Sequence, residues 1–304
     1  MALVINDRYI WDFWYIYENN LFSVFFLNCE KKYYFKDEQH SYAVVGEAKT
    51  LDFVDFFDVN VDVFHASKDS WDNTSIWTGD TVIIGCEKYL FYTSRDKNEL
   101  DESVQHIGVA KINWPSFERL DIKISAPKGF YLTYSDPEED SIQCWRDPFV
   151  FFFDGRVYMI VAAKRDNSMV NHRGCLALLE TDYNLSYFKH IKVLLNTYFS
   201  EVELPQIYKT KNGTMRIFFN AKTRDGKNKF IMTKEFSNII DDEVSMDQEI
   251  CTDCFERSKY YGFRIIPERN NIICAFNQEQ GFINVFSNIG SLGLGFDKLI
   301  SMKQ

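Results

Sequence analysis

Three short stretches set acids among aromatic or apolar neighbours: Trp11-Asp12-Phe13-Trp14, Cys144-Trp145-Arg146-Asp147-Pro148-Phe149-Val150 and Glu201-Val202-Glu203-Leu204-Pro205-Gln206. Chemistry at the anomeric carbon of a sugar calls for such a set. One carboxylate attacks or activates water, and a second keeps a proton for the leaving oxygen. A third grips hydroxyls or tunes its neighbours. Asp12, Asp147 and Glu203 have the setting for these roles, because apolar surroundings raise a carboxylate's pKa unless a partner opposes the effect. Arg146 is such a partner, so Asp147 is expected to stay ionised. Singly, each stretch also has a plainer reading. Asp12 reads as a strand end and Arg-Asp-Pro as a turn. Glu201 and Glu203, two residues apart and so on one face of a strand, read as a solvated edge. Trp11, Trp14, Trp77 and Trp145 read as core.

The elements that must carry these residues are strands. Short apolar runs are separated by turn signals at Glu18-Asn19-Asn20, Glu30-Lys31-Lys32, Asp154-Gly155 and Lys211-Asn212-Gly213, with little helical periodicity. The runs fall into five groups of roughly 60 residues, near the period of propeller blades. An aromatic content of 17%, with 28 Phe and 17 Tyr, favours strands over helices. The expected class is all-β, with residues 1–304 as a single domain.

A formal net charge of −10 argues against nucleic acid or an anionic membrane as main partner. The apolar runs, such as Phe149 to Phe153, are too short to span a bilayer, so no membrane insertion is expected. Asp7 and Arg8 interrupt the first apolar residues, against a signal peptide. Seven cysteines, odd in number and scattered through apolar runs, fit reduced buried thiols. The expected location is therefore cytoplasmic. Cys251 and Cys254 form one CxxC pair without a second pair or a nearby histidine, which reads as surface turn cysteines rather than a metal site. Asp136 to Asp140 reads as a solvated charged loop, and Asp241-Asp242-Glu243 as an acidic turn.

In order and surroundings the acidic stretches resemble motifs of glycoside hydrolase family 68, the levansucrases and inulosucrases. Trp11-Asp12-Phe13-Trp14 is similar to that family's nucleophile motif Trp-Asp-x-Trp-Pro, with Tyr15 in place of the proline. Trp77-Thr78-Gly79-Asp80 resembles Trp-Ser-Gly-Ser, which lines the fructosyl pocket, with Asp80 in place of the last serine. Arg146-Asp147-Pro148 matches the motif of the transition-state-stabilising aspartate. Glu201 to Gln206 is similar to Glu-Leu-Glu-Arg-Pro-His, whose second glutamate is the general acid. Leu204 and Gln206 replace its basic and imidazole side chains, so acceptor contacts or acid tuning are expected to differ. The resemblance extends to families 32 and 43: His65-Ala66-Ser67-Lys68-Asp69 resembles a family 32 blade element, and Arg173-Gly174-Cys175-Leu176-Ala177 is common to the superfamily.

The resemblance implies a five-bladed β-propeller with an acidic pocket on its axis, without room for the C-terminal sandwich of family 32. It implies that Asp12 attacks a β-fructofuranoside, that Glu203 protonates the leaving group, and that Asp147 stabilises the oxocarbenium-like charge. Trp11, Trp77, Thr78, Arg146 and Glu201 hold the sugar in this reading. The donor is a fructoside and the acceptor a glycan hydroxyl or water, with no cofactor and no metal. A carboxyl separation of about 5–5.5 Å would give retention, and roughly 6.5–9.5 Å inversion. Two alternatives stand beside a retaining fructosyltransferase that decorates a glycan such as a surface polysaccharide precursor. One is an intracellular hydrolase of β-fructosides or α-arabinosides. The other is a sugar-binding propeller without catalysis.

Overall fold

The computed structural model describes residues 2–135, 142–166, 168–226, 229–242, 249–250, 260–288 and 298–303. Strands dominate, in five antiparallel sheets. The first holds β1 (Arg8–Glu18), β2 (Leu21–Glu30), β3 (Val44–Thr50) and β4 (Phe56–Phe64), and the second β5 (Ile76–Ile84), β6 (Glu87–Arg95), β7 (Gln105–Asn113) and β8 (Ser116–Ile124). The third holds β9 (Trp145–Phe153), β10 (Arg156–Lys164), β11 (Gly174–Thr181) and β12 (Lys189–Asn196). The fourth combines β13 (Glu201–Thr210), β14 (Met215–Lys222), β15 (Lys229–Phe236) and β16 (Glu249–Ile250) with β20 (Leu299–Ile300), which pairs with β13. The fifth holds β17 (Tyr260–Ile266), β18 (Ile272–Asn277) and β19 (Phe282–Asn288). These are the blades of a five-bladed β-propeller, and the five groups read from the sequence correspond to them one by one.

The core lies between blades, in five apolar clusters that each fill one blade-to-blade interface. Inner and middle strands are therefore covered on both faces, and β10 and β11 read as continuous apolar runs. Outer strands such as β8 keep the alternation of a half-buried strand. The ring is closed by the N-terminal segment, where Leu3 bridges to Ile283 of β19. The hairpin turns follow the sequence signals, with positive φ at Asn19, Asn20, Asp154, Gly155 and Gly213. The Glu30-Lys31-Lys32 signal differs: the chain makes a single helical turn, α1 (Lys31–Tyr34). Cys29, Cys144, Cys175 and Cys274 are buried and free, and Cys86 is exposed and free. Cys251, Cys254, the 136–140 loop and Glu243 lie outside the described residues. Among those described, no helix is long and apolar enough to cross a membrane.

Gly79 is required by close approach. A Cβ there would overlap the carbonyl oxygen of Phe91 on the neighbouring strand. Gly79→Ala is expected to destabilise the fold by about 2–3 kcal/mol through forced backbone displacement. Chemical unfolding checks this, and an unchanged midpoint would contradict it.

Candidate active site

The inner strand of every blade breaks register at the same level. The breaks fall between Trp11 and Phe13, Trp77 and Gly79, Arg146 and Phe149, Glu203 and Gln206, and Tyr261 and Arg264. A bulge leaves residues out of the ladder and re-aims their side chains. Asp12, Asp147 and Leu204 sit at these breaks with φ of 23°, 56° and 54°, and Gly262 with 61°. Holding a non-glycine residue there costs of order 1–3 kcal/mol each, which the surrounding sheets must over-determine. Gly262 has a second role, since a Cβ on it would press into the Phe276 ring and stand 3.1 Å from Asp12 Oδ1.

The bulges open on one cavity of about 580 Å³ at the end of the central axis, lined by all eight residues singled out in the sequence: Trp11, Asp12, Trp77, Thr78, Arg146, Asp147, Glu201 and Glu203. Thr78 donates a hydrogen bond to Asp12 Oδ2. The backbone N–H of Leu204 donates to Asp147 Oδ2 at 3.0 Å, tying the second acid to the strand of the third. Arg146 Nη2 donates to Glu201 at 2.7 Å and to Glu203 at 2.9 Å. The two glutamates thus do share a strand face, but they point at a guanidinium rather than at solvent. Lys222 Nζ lies 2.8 and 2.7 Å from the two carboxylate oxygens of Glu203. Tyr261 donates its hydroxyl to the same carboxylate.

The electrostatics depart from the sequence-based expectation for Asp147. Burial dominates there, and Glu203 and Asp12 add repulsion. Arg146 opposes them from 3.9 Å, but its fork is committed to the glutamates. The Asp147 carboxyl is pushed up to about 7. Asp12, packed in except where it opens on the cavity, is raised by burial to about 6, with the Thr78 hydrogen bond working against the shift and the Glu203 charge adding to it. Burial also works to raise Glu203. There the Lys222 and Arg146 charges and the bonds from Lys222 and Tyr261 win, and hold the carboxyl well below its ordinary range.

Trp14 and Trp145 are core, as read from the sequence, while Trp11 and Trp77 wall the cavity. Other residues fall outside the positions expected for them. Asp80 is buried beneath the pocket and does not line it. Leu204 and Gln206 are buried too, the latter bonded to Phe263 and Ile265 of the next blade. Acid tuning falls instead to Lys222 and Tyr261, which the sequence reading missed. Lys222 ends an apolar run and looks solvent-facing. Counting the hairpin register back from the Lys211-Asn212-Gly213 turn sets it opposite Val202, on the other face; only the bulge between Glu203 and Gln206 brings it opposite Glu201, and the sequence carries no signal for that bulge. His40, whose backbone carbonyl accepts from the Trp77 indole at 2.7 Å, was missed as well. Among the described residues no group of three or more His, Cys, Asp or Glu is arranged to hold a metal ion.

Two consequences can be measured. Because Asp12 binds its proton more tightly folded than unfolded, its contribution to stability is complete below an ordinary carboxylate pKa near 4 and is lost as pH rises through about 6. Asp12→Asn should therefore stabilise the protein by about 1–2 kcal/mol at pH 8, less than the full shift implies because cavity water screens the charge. It should change stability little at pH 4, and thermal unfolding at the two pH values decides. Lys222→Met should move the Glu203 titration upward, read from its carboxyl carbon by NMR. An unmoved Glu203 would contradict the tuning assigned to Lys222.

The model of the glycosyl hydrolases family 32 N-terminal domain matches residues 14–262. No curated protein matches the chain. Among solved structures, the chain is similar to the levansucrase of Bacillus subtilis, with a TM-score of 0.66 and 14% identity over 98% of this chain and 88% of that one. A thermostable family-43 glycoside hydrolase gives 0.65 and 11%, over 93% and 90% of the two chains. A family 32 glycoside hydrolase from Bifidobacterium adolescentis gives 0.65 and 10%, over 91% and 52%. With its family match spanning most of the chain, this propeller is an enzyme that belongs to the glycosyl hydrolases of family 32.

Proposed function

We propose that the protein is a retaining fructosyltransferase that moves a β-fructofuranosyl unit onto a glycan hydroxyl through a covalent fructosyl-Asp12 intermediate. The observation that carries this reading is the convergence of Asp12, Asp147 and Glu203 on one cavity, with Asp12 held by Thr78 and Glu203 by Arg146, Lys222 and Tyr261. The volume of about 580 Å³ falls within the roughly 300–1,000 Å³ of pockets that enclose a small-molecule ligand.

Asp12, ionised above about pH 6, attacks the anomeric carbon. Asp147 meets the sugar hydroxyls and the developing positive charge. In the free site Glu203 is ionised, the form that takes a proton from the acceptor hydroxyl in the second half-reaction. In the first half-reaction it must carry a proton. A donor that shields Glu203 from solvent and draws the Lys222 and Arg146 donors onto its own oxygens raises the carboxyl toward that state. Trp11 and Trp77 form the apolar walls against which the sugar is held. Free thiols at Cys29, Cys144, Cys175 and Cys274 support a reducing, cytoplasmic setting, and there the acceptor would be a precursor of a surface polysaccharide.

The test is product analysis by NMR after incubation with sucrose, alone and with glycan acceptors, beside an Asp12→Ala control. A fructosylated glycan absent from the control is the expected result. Free fructose alone would assign the enzyme to fructoside hydrolysis. No turnover of sucrose alongside release of arabinose from arabinosides would overturn the fructosyl reading. With an active donor, kcat/KM should fall about tenfold per pH unit below about pH 7 as Asp147 protonates, and about a hundredfold per unit below about pH 6 as Asp12 follows.

A further inference from the structure

Two residues past Asp12, Thr78, Asp147, Leu204 and Gly262, the same five strands contribute Trp14, Asp80, Phe149, Gln206 and Arg264, all buried. This is the layer beneath the cavity, and it carries charge. Asp80 is fully buried. One of its oxygens accepts from the backbone N–H of Val150 on β9 at 2.9 Å, and the other accepts from Lys303. Lys303 also donates to the carbonyl of Thr81 at 3.3 Å, and its ammonium stands 4.7 Å from the centre of the Phe149 ring. It arrives from the segment after β20, which is fastened by pairing with β13 and by the bond from Phe152 N–H to Met302 O at 2.7 Å. The other cation of the layer, Arg264, is directed at the carbonyls of Phe13 and Pro205.

Asp80 is thus a clamp between two strands that matter to the site. It lies two residues beyond Thr78, which holds Asp12, and it grips β9 three residues beyond Asp147. The motif that residues 77–80 resemble has a serine in place of Asp80, and a serine needs no counter-ion. A buried carboxylate without a partner is strongly disfavoured. The departure at Asp80 and the presence of Lys303 therefore belong together.

We propose that Lys303 is a positioning residue for the active site: by neutralising Asp80 it fixes β5 against β9, and so keeps the Thr78 hydroxyl on Asp12. The kinetic consequence rests on the glycosyl-transfer reading above, whereas the geometric one does not. The groups facing Asp12 are Thr78, Glu203, Asp147, Tyr9, Tyr261, Arg264 and Lys222, and those facing Lys303 are Asp80, Arg264, Glu268 and Tyr15.

The experiment compares K303M, K303R and D80N/K303M with the parent, reading the titration of the Asp12 carboxyl carbon by NMR, and kcat and KM with sucrose. K303M is expected to lose the Thr78 bond and move the Asp12 midpoint up by about one unit. It should also lower kcat about tenfold with KM nearly unchanged. K303R should stay near the parent, and D80N/K303M, whose amide oxygen can still accept from Val150 but needs no counter-ion, should return both readings to it. A parental Asp12 midpoint in K303M, or a double variant as displaced as the single, would overturn the proposal. If sucrose is not turned over, the titration still decides. If K303M does not fold, a folded D80N/K303M with a parental midpoint supports the pairing and a displaced midpoint refutes it.

Discussion

Asp12, Asp147, Glu201 and Glu203, four of the carboxylates that line the cavity, repel one another, and the site depends on how that repulsion is met. Arg146 and Lys222 bring two positive charges to Glu201 and Glu203. Asp12 and Asp147 receive hydrogen bonds from Thr78 and Leu204, and among the described residues no cation stands closer to either than Arg146 at 3.9 Å from Asp147. The consequence is a split. The glutamates are driven toward the ionised form, while the two aspartates titrate near neutrality, at about 6 and about 7. Environments that push neighbouring carboxylates apart are how one pocket comes to hold an acid and a base together.

The propeller makes the convergence possible because each blade supplies one inner strand, and each inner strand breaks at the same height. Regular strands would have turned the residues at the breaks back into the ladder. The backbone strain at Asp12, Asp147 and Leu204 is sustained by five apolar interfaces, one between each pair of blades. Removal of Gly79 or Gly262 would press side chains into the strand or ring beside the site. The charged layer below, with Asp80, Lys303 and Arg264, closes the axis underneath and leaves the sugar end as the open one.

The sequence made much of this legible. Alternating and continuous apolar runs, cut by Asn19-Asn20, Asp154-Gly155 and Gly213, gave the strand groups, and the tryptophan- and proline-flanked acids gave the pocket residues. Less was visible where long-range geometry decides. Arg146 stands next to Asp147 in sequence, so the pair looked self-neutralising. A strand alternates faces, and the guanidinium crosses to the neighbouring blade instead. Lys222 and Tyr261 join Glu203 only through register and blade packing, and Lys303 reaches Asp80 across 223 residues. Trp14 and Trp145 could not be told from Trp11 and Trp77 by composition, since what separates them is which face of an inner strand looks into the cavity.

The central claim is that Asp12 is the nucleophile, and trapping the intermediate tests it most directly. A Glu203→Gln variant can be incubated with a fructosyl donor whose leaving group needs no protonation, such as fructosyl fluoride or an aryl fructoside. Removing the general base then stalls the second half-reaction. Mass analysis of the peptides is predicted to show one added anhydrohexose unit on the peptide that carries Asp12, absent from an Asp12→Ala/Glu203→Gln control. Turnover of the same donor by parental protein with no adduct at Asp12, or with inverted configuration in the product, would contradict the account.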